Sequence, residues 1–123
     1  MEDSKVIAID FDGTIVEDKF PEVGKTKPRA LLVIKKLIRE GHKIVIWTCR
    51  DYGIINDYIS KNFKGMEQMF IYINENPPEL RAKFGNDPRK LGADLFIDDK
   101  ALFTKEVDWV KIEKELTKLK YLK

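Results

Sequence analysis

The chain has 123 residues, of which 43% are hydrophobic and 36% charged, a balance that fills a core and covers it and so excludes disordered and collagen-like classes. Its 23 basic and 21 acidic residues leave a formal charge of +2, too small and too evenly mixed for a surface that coats nucleic acid. A single cysteine, Cys49, and a single histidine, His42, exclude an internal disulfide, a multi-cysteine zinc site and a His-rich metal centre.

In chain order, Val6-Ile7-Ala8-Ile9 is a β-branched run that predicts a buried strand, emerging into the polar loop Asp10-Phe11-Asp12-Gly13-Thr14. The run is too short for a signal-peptide core or a membrane span, so a cytoplasmic protein in a reducing compartment is expected. The segment Glu17 to Lys25 reads as a flap-like loop. Pro28 suits a first helical position, Ala30, Leu31, Ile34, Leu37 and Ile38 form an apolar helical face, and Gly41 closes that helix. Ile44 to Trp47 is a second buried strand ending in Thr48-Cys49-Arg50, and Ile54 to Phe63 is an amphipathic helix with Gly65 just past its end.

Met69 to Ile73 reads as a third strand, and Asn74 to Pro88, rich in Pro, Gly and Asn, as an ordered loop. Lys90 precedes the fourth strand by a short helical turn. Leu95 to Ile97 is a fourth strand ending in Asp98-Asp99, and Asp108 caps a final helix carrying Trp109, Val110, Ile112, Leu116 and Leu119. Strands alternating with helices predict an α/β fold: a Rossmann-like parallel sheet covered by helices on both faces, in one domain over residues 1–123. His42, between a helix end and a strand, is expected in a surface turn, and Cys49 as a small buried residue.

Ligands of such sheets bind at the carboxyl ends of the strands. The polar residues gather there: Asp10 and Asp12 after the first strand, Thr48 and Arg50 after the second, Asp98 and Asp99 after the fourth, with Lys90 shortly before it. Carboxylates sharing one cleft repel each other unless a cation sits among them, and an all-oxygen donor set favours Mg²⁺. A metal and an anionic substrate fit together at this end of the sheet.

Asp10-Phe11-Asp12-Gly13-Thr14 after an apolar strand resembles the first motif of the haloacid dehalogenase superfamily of aspartate-nucleophile phosphohydrolases. Thr48 is similar to the second-motif Ser/Thr, Lys90 to the third-motif lysine and Asp98-Asp99 to the fourth motif, all in the family's order across roughly residues 5 to 100. The spacing to Asp98 favours Lys90 over its neighbours Arg81, Lys83 and Arg89. The resemblance implies a Mg²⁺-dependent phosphatase acting on a phosphate monoester through an aspartyl-phosphate. Asp10 would be the nucleophile and Asp12 the general acid and base.

Mg²⁺ would be held by the Asp10 carboxylate, the Asp12 carbonyl and one carboxylate of the terminal pair, with Asp98 favoured and Asp99 supporting it. Thr48 and Lys90 would bind the phosphoryl oxygens, and Arg50 would add a charged donor to phosphate or substrate. Only 37 residues separate Asp10 from Thr48 and 41 separate Thr48 from Lys90, too few for a cap domain, so a small capless member is implied. The substrate is then a phosphorylated small molecule or macromolecular end. Water exclusion falls to the loop at Glu17 to Lys25, the loop at Asn74 to Lys83, a partner subunit or the substrate itself. Neither a membrane nor a strong nucleic-acid interaction is indicated.

Two alternatives share this fold. A receiver-like phosphoacceptor signalling domain has similar parts, but places its acceptor aspartate after the third strand, where this chain has Ile73-Asn74-Glu75. A catalytically silent binding domain would not need Asp10, Asp12 and Asp98 together. Gly24-Lys25-Thr26 is not a nucleotide-binding P-loop, because position 19 is Lys19 where that motif needs glycine.

Overall fold

The computed structural model describes residues 4–66 and 71–123. Four parallel strands, β1 (Val6–Asp10), β4 (Lys43–Trp47), β5 (Ile71–Ile73) and β6 (Leu95–Ile97), form a sheet in the order β5-β4-β1-β6. The β-branched sequences of these strands suit a surface covered on both sides. Ile7, Ile9, Ile44, Ile46, Ile71 and Ile97 point to one face, where they pack with helices α1 (Ala30–Arg39), α2 (Tyr52–Asn62) and α4 (Trp109–Lys118). Ala8 and Val45 point to the other face and pack with Leu91. There the cover is the segment around Leu91 and the short helix α3 (Pro78–Phe84), whose Leu80 and Phe84 lie over Gly92.

Chain order and strand order diverge at β1, with β4 on one side and β6 on the other. That switch opens a crevice at the carboxyl ends of the strands, and Asp10 is the last residue of β1 at its mouth. Trp109, fully buried at the start of α4, donates its indole N–H to the Thr14 carbonyl at 2.8 Å. It thereby ties the last helix to the loop that follows β1. Asp108 caps that helix by accepting from the Val110 and Lys111 amides.

The segment expected as a flap-like loop is an antiparallel hairpin, β2 (Val16–Lys19) and β3 (Glu22–Thr26), pairing Val16 with Thr26, Asp18 with Val23 and Lys19 with Glu22. Its residues are mostly exposed and polar, so they carried no apolar alternation from which strands could be read. Pro28 lies in a turn ahead of α1, and Arg29 at φ 68° separates it from the first helical residue. Gly41 takes the expected left-handed conformation after α1. Of the third strand predicted over Met69 to Ile73, Ile71–Ile73 is present, and Met69 and Phe70 lie outside the described residues.

The expected loop at Asn74 to Pro88 contains α3, opened by Pro78 and closed by Gly85 at φ 77°. Lys90 sits in a bend, and the chain between it and β6 forms no helical turn. His42 is buried: Nδ1 accepts from the Lys5 amide at 3.0 Å and Nε2 donates to the Tyr121 carbonyl at 2.8 Å. Cys49 is exposed. No helix among the described residues is long and apolar enough to cross a membrane.

Replacing Trp109 with alanine empties a large core site and leaves the Thr14 carbonyl unpaired. A loss of about 3–5 kcal/mol in urea unfolding is expected, and a loss below about 1 kcal/mol would show that α4 does not anchor the loop.

Candidate active site

The loop after β1 is held in one conformation by its own backbone. The Phe11 carbonyl accepts from the amides of Thr14, Ile15 and Val16, and the Gly13 amide donates to the Val16 carbonyl at 2.8 Å. Gly13 adopts φ 84°, and a β-carbon built there would overlap Asp99 Oδ2, so both the conformation and the close approach require glycine. Thr14, fully buried, donates its hydroxyl to Asp10 Oδ2 at 2.9 Å and accepts from the Asp99 amide at 3.1 Å. One threonine hydroxyl therefore sets the distance between the end of β1 and the end of β6.

The result is a cluster in which Asp10, Asp98 and Asp99 each offer a carboxylate oxygen, all within 4.8 Å of one another. Burial, the hydrogen bond shared with Asp99 and the charges of Asp98 and Asp99 push Asp10 up to about 7, against the lowering effect of the Thr14 hydroxyl. Asp99 Oδ1 is buried with no hydrogen-bond partner. A buried carboxylate oxygen with no donor, two more carboxylates beside it and no nitrogen or sulfur in the set together fit a hard cation, and these residues can hold one. Sequence reasoning favoured Asp98 as the ligand from this pair, with Asp99 in support; the geometry brings both carboxylates to Asp10.

The Asp12 side chain points elsewhere. Its two oxygens accept from Arg50 Nε at 2.8 Å and Arg50 Nη2 at 2.7 Å, a bidentate pair. Thr48 follows β4, whose Trp47 is the register partner of Asp10. Its amide donates to Asn74 Oδ1 at 2.8 Å, its carbonyl accepts from Asn74 Nδ2 at 2.7 Å, and its hydroxyl accepts from the Arg50 amide. Lys90 is exposed, and among the described residues no carboxylate lies within ion-pair distance of its ammonium. The lysine in contact with the cluster is Lys100, 3.7 Å from Asp99 Oδ2 and largely exposed.

Two asparagines escaped the sequence reading as supports. Asn74, at φ 54°, reads both backbone groups of Thr48. Asn76, fully buried, donates to Asp87 Oδ1 and to the carbonyls of Pro88 and Lys90, and accepts from the Gly92 amide at 2.7 Å. It ties the segment bearing Lys90 to the end of β5. The available signal was Asn76 before Pro77-Pro78, a polar residue in a turn-rich stretch, which carries no mark of burial by itself.

With this geometry in place the comparisons with known proteins are specific. A family model for haloacid dehalogenase-like hydrolases matches residues 7–76, more than half the chain. The chain belongs to the haloacid dehalogenase-like hydrolases. That match spans Asp10, Asp12 and Thr48 but ends before Lys90, Asp98 and Asp99, so the fourth-motif aspartates rest on their convergence with Asp10. No curated protein matches the chain. A solved structure similar to this haloacid dehalogenase-like chain is that of a conserved protein from Bacteroides thetaiotaomicron. It is 36% identical, covers 96% of this chain and 93% of its own, and has a TM-score of 0.74.

The crowding has a pH signature. The folded chain keeps a proton on Asp10 between about pH 4 and about pH 7, where the unfolded chain has lost it, so this contribution to stability declines as pH rises through that window. Without divalent cations, the Tm of the wild type is expected to fall from about pH 5 to about pH 8 more steeply than that of Asp10→Asn, and added Mg²⁺ to restore it most at the upper end. Parallel wild-type and Asp10→Asn profiles would overturn this.

Proposed function

We propose that the protein is a Mg²⁺-dependent phosphatase that hydrolyses a phosphate monoester through an aspartyl-phosphate on Asp10. The observation that carries the reading is the convergence of Asp10, Asp98 and Asp99 around a buried, unpartnered carboxylate oxygen. The carboxylates of Asp10, Asp98 and Asp99, with the Asp12 carbonyl, would hold the cation. When bound, it supplies charge neutralisation among the carboxylates and polarises a phosphoryl oxygen.

In the first half-reaction an Asp10 oxygen attacks phosphorus in line, the bond from phosphorus to the ester oxygen breaks, and Asp12, carrying the proton it takes from water in the second half-reaction of each turnover, gives that proton to the departing oxygen. In the second, Asp12 takes a proton from water as it attacks phosphorus, releasing inorganic phosphate and restoring Asp10. Thr48, its backbone clamped by Asn74, donates its hydroxyl to a phosphoryl oxygen. Lys90, its main chain pinned by Asn76 and its ammonium exposed, neutralises charge on the phosphoryl group. Nineteen residues lie between the end of β1 and the start of α1, and the hairpin spans eleven of them, too few to include a cap domain there; the hairpin, whose tip meets Arg50, is the structured wall beside Asp12.

Purified protein is expected to release phosphate from an aryl phosphate with Mg²⁺ and to stop in excess chelator; undiminished activity in chelator would refute metal dependence. Asp10→Asn is expected to abolish turnover, while Asp12→Asn lowers kcat about 10²–10⁴-fold, least for esters with good leaving groups. Equal losses in both variants across leaving groups of widely different pKa would refute the acid role of Asp12.

A further inference from the structure

The Arg50 side chain is only 2% exposed, and four of the five N–H bonds of a guanidinium are committed. Nε and Nη2 hold the two Asp12 oxygens; Nη1 donates to the Pro21 carbonyl at 2.7 Å and Nη2 also to the Glu22 carbonyl at 2.7 Å. The Phe20 ring stacks 4.9 Å from the guanidinium carbon. Phe20, Pro21 and Glu22 form the tip of the β2–β3 hairpin and the first residue of β3. One side chain from the end of β4 thus joins the loop after β1 to the far end of the hairpin.

A residue that recognises phosphate presents free donors to solvent; this one has spent its donors on protein oxygens in a buried position. We propose that Arg50 is a positioning residue, a latch that holds the β2–β3 hairpin against the strand-end crevice and orients Asp12 with the same guanidinium, and that it does not bind the phosphate. Closure of the hairpin and orientation of Asp12 are then one event. Lysine cannot replace it: a single ammonium lacks the planar fork that holds a carboxylate and two carbonyls together.

The hairpin supports the inference by what it lacks. Its residues are largely exposed, and β2 and β3 belong to a sheet of two strands separate from the main one. An isolated two-stranded hairpin is marginal in water. Besides Arg50, its anchors include Val16 in the core, the hydrogen bond between the Lys27 amide and the Ile15 carbonyl, and the contact between Thr26 and Tyr58 hydroxyls. These anchors lie at the base of the hairpin, and Arg50 holds its tip.

The test is hydrogen exchange on the purified chain without substrate, comparing wild type, Arg50→Ala and Arg50→Lys. Amides of residues 16–26 are expected to exchange at least about tenfold faster in both variants, with β1 and β4 unchanged. Should Arg50→Ala fail to fold, Arg50→Lys decides alone. The kinetic arm rests on the phosphatase reading: kcat for an aryl phosphate is expected to fall about tenfold or more, with KM and the inhibition constant of inorganic phosphate within about threefold. Unchanged hairpin exchange in Arg50→Lys would overturn the latch, and inhibition by inorganic phosphate weakened more than about tenfold at unchanged kcat would make Arg50 a phosphate ligand instead. Exchange needs no activity, so an inactive wild type would refute the phosphatase reading and still leave the latch tested.

Discussion

Three carboxylates, those of Asp10, Asp98 and Asp99, are held within 4.8 Å of each other at the mouth of a parallel sheet, and their mutual repulsion is the constraint around which the rest of the structure is arranged. Like charges at that separation are tolerated only when a proton, a hydrogen-bond donor or a cation intervenes. The fold supplies part of the relief through the Thr14 hydroxyl and part through a proton on Asp10. Asp99 Oδ1 receives none. What forces the groups together is remote: parallel register between β1 and β6, the absence of a β-carbon at Gly13, and Trp109 pinning the Thr14 carbonyl from the last helix.

Asp12, two residues from Asp10, is kept out of that crowd by a different device. Its charge is answered by a buried arginine, so the loop after β1 directs one carboxylate to a hard-cation site and the other to a guanidinium. Separating two nearby carboxylates into different environments is how a site assigns them different work. The same arginine reaches the hairpin tip, which couples the second carboxylate to the wall of the crevice.

How much of this could be read beforehand depended on whether the signal was local. Val6 to Ile9, Ile44 to Trp47 and Leu95 to Ile97 announce themselves because a buried parallel strand is a continuous apolar run, and the helix at Trp109 follows from Asp108 and its apolar spacing. The hairpin gave no such pattern, since most of its side chains face water and the partner of its tip is an arginine 29 residues beyond Pro21. Arg50 looked like a free phosphate donor because its type suits that task, and only the fold reveals that its donors are taken. His42 and Asn76 are polar residues in turn-rich surroundings, buried because backbone groups from distant segments need partners. The place of Asp98 and Asp99 after a strand is legible in the sequence, but the close approach of Asp99 to the loop after β1 depends on Gly13 and Thr14.

The central claim is that Asp10 carries the phosphoryl group. Acid-quenched intact-protein mass spectrometry during turnover of an aryl phosphate with Mg²⁺, followed by peptide mapping, tests it most directly. The expected result is a transient adduct of one phosphoryl group on the peptide that contains Asp10, labile to hydroxylamine as an acyl phosphate is. Steady phosphate release with no adduct on any peptide, or an adduct mapped to another residue, would contradict it.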